Sequence, residues 1–155
     1  MSRNFLPLDL EFIANVRAGG LDANGQPAEH AVSDGQGKPC RCCLDTVPKG
    51  KEMLIFAARP FQSLHPYAEL GPVFLCADDC TPYAGTDLPP VLAHAPDFLV
   101  KAYSRDERIL YGTGQITPAA EVELYADSLL ERSEVAFVDV RSARNNCILS
   151  RFRRD

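Results

Sequence analysis

Apolar positions recur at helical spacing over Asp9–Ala18, where Leu10, Ile13 and Ala14 share a stripe with Arg17. Asp9 suits the cap and Gly19-Gly20 stop the element, so a short helix is predicted there. Leu21–Pro39 is rich in Gly, Asp, Gln and Asn and reads as a long loop, with one short strand near His30–Val32. Strand-like pieces follow at Cys40–Leu44 and Lys51–Ala58. The Val47-Pro48-Lys49-Gly50 turn between them predicts an antiparallel hairpin. Pro60–Pro72 is irregular and proline-bearing, and Val73–Cys76 reads as a short buried strand.

Asp78–Pro96 returns to loop, with one helical turn at Val91–His94. Asp97–Ser104 and Arg108–Thr113 predict a second hairpin through Arg105-Asp106-Glu107, and Tyr111-Gly112-Thr113-Gly114-Gln115 a turn or bulge. The strongest helical pattern is Pro118–Arg132. Thr117 stands at the cap, Pro118 at the first position and Glu121 completes a capping box, ahead of a stripe of Val122, Tyr125, Leu129 and Leu130. Val135–Val140 and Cys147–Phe152 are the last strands. Two main helices and six to seven short strands with tight connections predict an α+β fold: a single domain over 1–155 on an antiparallel or mixed sheet. A doubly wound parallel sheet would need more crossover helices than this chain supplies.

Composition narrows the function classes. With 46% hydrophobic and 24% charged residues among 155, the chain is ordinary for a globular protein with a real core. Its longest plain apolar run, Met53–Ala58, is far too short to span a bilayer. Asp9 and Glu11 interrupt the first apolar stretch, so no secretory signal is read and a cytoplasmic location is expected. The net charge of −5 argues against nucleic acid or an anionic membrane as partner. Charge is nonetheless segregated. Residues 141–155 hold five arginines and one acid, and no aromatic interleaving or nucleic-acid motif accompanies them. The bland interpretation is a last strand whose arginines pair with the acidic remainder. The sharper ones are a patch for RNA or an acidic partner, and an edge strand that pairs with a partner or a second copy, a homodimer.

The pointed chemistry lies in six cysteines: Cys40, Cys42, Cys43, Cys76, Cys80 and Cys147. In a reducing compartment they are expected as free thiols or metal ligands. A Zn²⁺ ion takes four N or S donors at tetrahedral corners, and Cys42, Cys76, Cys80 and Cys147 are the candidate ligands, with His65 or His94 as substitutes. The spacing C-x-C-C followed by C-x₃-C departs from paired C-x₂-C knuckles. A redox pair closed within C-x-C, with Arg41 favouring the thiolate, is a second reading. Core filling by small apolar thiols is a third.

A separate constellation suits an anion. Arg41 and Arg141 could clamp a carboxylate or phosphate while Tyr67 orients it, making an anionic small molecule a candidate partner. The competing interpretation is a set of ion pairs with Asp139 or Glu69. The histidines form no catalytic set, and no P-loop, G-x-G-x-x-G, G-x-S-x-G or H-E-x-x-H pattern occurs. Catalytic residues are not assigned.

Five segments together resemble one bacterial family, domain of unknown function 1203. They are Pro39-Cys40-Arg41-Cys42-Cys43-Leu44, Pro66-Tyr67-Ala68-Glu69-Leu70-Gly71-Pro72-Val73-Phe74, Cys76-Ala77-Asp78-Asp79-Cys80, Lys101-Ala102-Tyr103, and Ala136-Phe137-Val138-Asp139-Val140-Arg141-Ser142-Ala143 through Cys147. The resemblance covers nearly the whole chain. It implies a small α+β domain without an assigned activity, and it places Arg41, Tyr67 and Arg141 within the family's motifs.

Overall fold

In a computed structural model, which describes residues 3–154, eight strands and two α-helices follow one another. Their order is β1 (Arg3–Leu6), α1 (Leu10–Arg17), β2 (Glu29–Val32), β3 (Glu52–Ala58), β4 (Gly71–Cys76), β5 (Asp97–Tyr103), β6 (Gln115–Pro118), α2 (Val122–Leu130), β7 (Phe137–Ser142) and β8 (Ile148–Arg154). Every strand pair among the described residues is antiparallel, so the fold is α+β as expected. The chain divides into two compact units, each with its own sheet.

The first unit is Pro7–Tyr83. Its sheet has the order β2-β3-β4. Strand β3 is the central one, and Met53, Leu54, Phe56, Ala57 and Ala58 along it are buried. Helix α1 begins as the sequence predicts: the Asp9 carboxylate accepts the Phe12 N–H at 3.0 Å, a cap worth about 1 kcal/mol. Ile13 and Val16 form its buried stripe, and the Phe12 ring meets that of Phe56.

The first predicted hairpin does not form. β3 pairs with β2 and β4, and Cys40–Leu44 is a tight turn instead of a strand. The Leu44 N–H returns to the Cys40 carbonyl at 3.0 Å and the Cys40 N–H reaches the Asp45 carbonyl at 2.8 Å. Leu44 adopts φ 55°, a left-handed conformation that costs a side-chain-bearing residue energy. Complete burial of its side chain offsets that cost.

The second unit joins β1 to the chain from Ala84 onward. Its sheet runs β1-β8-β7-β5-β6. One apolar row crosses four strands at Phe5, Phe152, Val138 and Ala102, which the register places side by side. Helix α2 lies against β5, β7 and β8 and buries Val122, Ala126, Leu129 and Leu130. Tyr125, predicted on that stripe, is only half-buried and donates its hydroxyl to the Thr113 carbonyl at 2.6 Å. The Arg154 guanidinium donates to the Leu130 and Val135 carbonyls, closing the end of α2.

Three expectations for this unit are corrected. The hairpin through Arg105–Glu107 forms only one bridge, between Tyr103 and Ile109, and Arg108–Thr113 is not a strand: the Thr113 hydroxyl itself accepts the Ala102 N–H at 3.0 Å and donates to the Leu110 carbonyl at 2.6 Å. The ladder partners of β5 are β6 and β7 instead. The helix predicted from Pro118 starts later: Thr117 and Pro118 complete β6 opposite Phe98 and Asp97, and a 3₁₀ turn at Ala119–Glu121 precedes α2. Thr117 therefore bonds to the Gln115 carbonyl and caps nothing. The basic C-terminal strand is not an edge either. β8 lies between β7 and β1, and β1 was not foreseen, since only Phe5 and Leu6 in it are apolar.

Beside the apolar row runs a charged one. The register sets Lys101, Asp139 and Arg151 next to one another on β5, β7 and β8, all buried or nearly so. No helix of the described residues is long and apolar enough to cross a membrane.

Candidate metal centre

The turn at residues 40–45 and the end of β4 create the site. An isolated bridge ties Cys40 to Phe74, and the Arg41 N–H donates to the Phe74 carbonyl at 3.0 Å, so the turn rides on the free edge of β4. Cys76 ends that strand, and its N–H points at the Cys40 sulfur at 3.3 Å. The chain then loops back through Cys80, held where the Tyr83 N–H meets the Cys42 carbonyl at 2.9 Å.

The result is a group of four thiols. The Sγ atoms of Cys40, Cys43, Cys76 and Cys80 all lie within 4.8 Å of one another, with Cys40 buried and the other three half-buried. Cys40 and Cys80 are 3.8 Å apart, sulfur to sulfur. These four residues could hold a metal ion.

Backbone amides and a guanidinium surround the sulfurs. Cys40 Sγ accepts N–H groups from Cys42, at 3.4 Å, and from Cys76. Arg17, at the end of α1, donates Nη2 to Cys80 Sγ at 3.1 Å and Nε to the Cys76 carbonyl at 3.1 Å, while Nη1 lies 4.0 Å from Cys42 Sγ. Such donors favour negative charge on sulfur. The Cys40 thiol is drawn down to about 4, first by the hydrogen bond from the Cys43 thiol; burial opposes this, and the backbone N–H groups assist it.

Its neighbours respond in the opposite sense. Cys43 is pushed far up by that same bond with Cys40, then by burial and by Cys40's charge. Cys76 is raised to about 12 by burial and by Cys40. Cys42 rises to about 11 through burial and its hydrogen bond with Cys80, against the pull of Arg17. Burial works against the charge on Arg17, yet the two sulfurs outweigh it and its pKa rises. Without a cation, the crowded thiols share protons and cannot all ionise; a dication removes that conflict.

The expected ligand set and the observed group overlap in part. Cys76 and Cys80 belong to the group. Cys42 is buried beside it, against Arg17 and the Cys80 carbonyl. Cys147 lies in the other unit, where its thiol faces the Asn145 carbonyl at 3.8 Å. Cys40 and Cys43 complete the group, and Cys40-Arg41-Cys42-Cys43 does contain a C-x₂-C knuckle with those two at its ends. Reading the segment as a strand hid it, because alternation would put the two thiols on opposite faces. In the sequence pattern Arg17 falls on a helix stripe, and nothing local marks it as a partner of the thiols.

The residues named for an anion are distributed between the units. Arg41 is buried, donates to the Pro39 carbonyl at 2.6 Å and lies over the Phe74 ring. Tyr67 sits in the loop before β4, where its N–H meets His65 Nδ1 at 3.1 Å. Arg141, in the other unit, donates to the fully buried Asp139 carboxylate at 3.1 Å and to the Asn146 carbonyl at 3.2 Å.

Residues 37–154 match the family model described as protein of unknown function DUF1203. Comparison with curated proteins and with solved structures gives no match.

Proposed function

The chain belongs to the DUF1203 family, whose description assigns no activity, and we propose that its Pro7–Tyr83 unit is a zinc-binding module with one structural Zn²⁺ on Cys40, Cys43, Cys76 and Cys80. The observation that carries this is the mutual spacing of the four sulfurs within 4.8 Å. Zinc–thiolate bonds of about 2.3 Å at tetrahedral angles separate sulfurs by about 3.8 Å. The Cys40–Cys80 separation of 3.8 Å already has that value. The spacing favours a single ion over an iron–sulfur cluster, in which inorganic sulfide and several irons spread the thiolates further. Tetrahedral sulfur sites suit zinc or iron, and zinc binds the same divalent site more tightly than Fe²⁺.

Four thiolates leave no open corner for water, so the ion's role is structural. It ties the turn at 40–45, the end of β4 and the Cys80 loop to one point. A three-stranded sheet with one short helix has little core of its own, and a metal is a common remedy for that deficit.

Elemental analysis of the untagged protein, purified without chelator, tests this reading. About one zinc per chain is expected, with the four ligand thiols unreactive until chelator is added. One iron per chain with thiolate-to-metal absorption would replace zinc by iron at the same ligands. Absence of metal, with six thiols titrating freely once the chain is unfolded and no zinc uptake on refolding, overturns the reading.

A further inference from the structure

Five thiols meet where a zinc ion uses four, and the fifth is Cys42. It is 1% exposed, yet its surroundings are polar: Nη1 of Arg17 at 4.0 Å, the Cys80 carbonyl at 4.0 Å, and a thiol-to-thiol hydrogen bond with Cys80. A thiol that merely filled the core would sit among aliphatic side chains. One guanidinium addresses both sulfurs, because Nη2 of Arg17 is 3.1 Å from Cys80 Sγ. Cys80 lies in the loop after β4 and, being half-buried, is open to a small solute.

We propose that Cys42 is the resolving thiol of a peroxide-sensitive zinc switch, in which oxidation joins it to Cys80 and expels the ion. The switch rests on the zinc reading above. Its oxidant is a hydroperoxide. The Cys80 sulfur attacks the distal peroxide oxygen; an S–O bond forms, the O–O bond breaks and hydroxide leaves, giving a sulfenic acid. Cys42 sulfur then attacks Cys80 sulfur. The S–S bond forms, the S–O bond breaks, and the departing hydroxide takes the Cys42 proton as water. Two sulfurs together lose two electrons, and hydrogen peroxide ends as two waters once the first hydroxide takes a proton from solvent. Cys80 is thereby lost as a ligand, and three thiolates hold zinc less tightly than four.

The test uses the zinc-loaded full chain. Hydrogen peroxide is added, zinc release is followed with a chromogenic chelator, and disulfides are mapped by mass spectrometry. The wild type should release its zinc and yield a Cys42–Cys80 disulfide. Cys42→Ser should be purified with one zinc, which establishes that it folds, and should release zinc about tenfold more slowly. Release from Cys42→Ser at the wild-type rate, or a first disulfide confined to Cys40, Cys43, Cys76 and Cys80, overturns the switch and leaves the zinc reading standing. Wild-type protein that keeps its zinc under peroxide does the same. Protein that holds no zinc before peroxide is added overturns both.

Discussion

Nη2 of Arg17 lies 3.1 Å from Sγ of Cys80, a contact between residues 63 positions apart in the chain. It joins the last turn of α1 to the loop after β4. Because Nε of the same side chain holds the Cys76 carbonyl, one guanidinium positions two of the four grouped cysteines. Donors of this kind, one step removed from a metal, typically alter affinity by about 10- to 100-fold. Arg17→Gln should therefore weaken zinc binding by about that range, measured by chelator competition. Arg17→Lys keeps the charge and loses the fork, so it should fall between the two. Equal affinity in all three proteins would mean that Arg17 only covers the site.

The grouped set makes a sharp distinction between neighbouring cysteines. Cys43→Ser should lower the zinc content well below one per chain and loosen the Pro7–Tyr83 unit, seen as lost amide-exchange protection in β3 and β4. Cys147→Ser, altered in the other unit, should retain full zinc. Metal lost from Cys147→Ser and kept by Cys43→Ser would invert the assignment.

Much of the fold was legible because it is written in local patterns. Asp9 and the Gly19-Gly20 pair mark both ends of α1, and the apolar run Met53–Ala58 marks β3 as a strand. The misreadings have local and long-range causes. Thr113 occupies the Ala102 N–H, which stops the second hairpin after its single Tyr103–Ile109 bridge, and Thr117 serves β6 and not a helix cap. Strand β1 is set by pairing with β8 across the length of the chain, which no local window contains. In the cysteine group, Cys76 and Cys80 stand among the candidate ligands that the sequence offers, and its spacing alone does not say which thiols meet. Cys40 and Cys43 were obscured because the turn that unites them includes Leu44 at positive φ, a conformation its side chain does not advertise.

Thr113 offers a direct measure of that substitution of side chain for backbone. Its hydroxyl is the acceptor for the Ala102 N–H, and both residues are buried. Thr113→Val keeps the shape and removes the acceptor, leaving a buried donor without its partner. The expected loss is about 1–3 kcal/mol in denaturant unfolding, with an unchanged slope. A loss below about 0.5 kcal/mol would mean that water or a shifted strand replaces the bond.

Asp139 ties the stability of the second unit to acid pH. Its carboxylate is fully buried, with Oδ1 accepting Arg151 Nε at 2.7 Å and Oδ2 accepting Arg141 Nη2 at 3.1 Å. Burial alone would raise its pKa, but Arg151 and then Arg141 outweigh burial and hold it below the ordinary carboxylate range. A carboxyl group whose folded pKa lies below its unfolded value of about 3.9 contributes stability that is complete above that value. The contribution disappears as pH falls through the lower, folded value. Asp139→Asn removes the charge at every pH and strands two guanidinium groups, so at neutral pH it should cost about 3–5 kcal/mol. Its stability should also change less than the wild type's between pH 5 and pH 2. Parallel acid limbs for the two proteins, from denaturant unfolding across that window, would assign the acid sensitivity to other carboxylates.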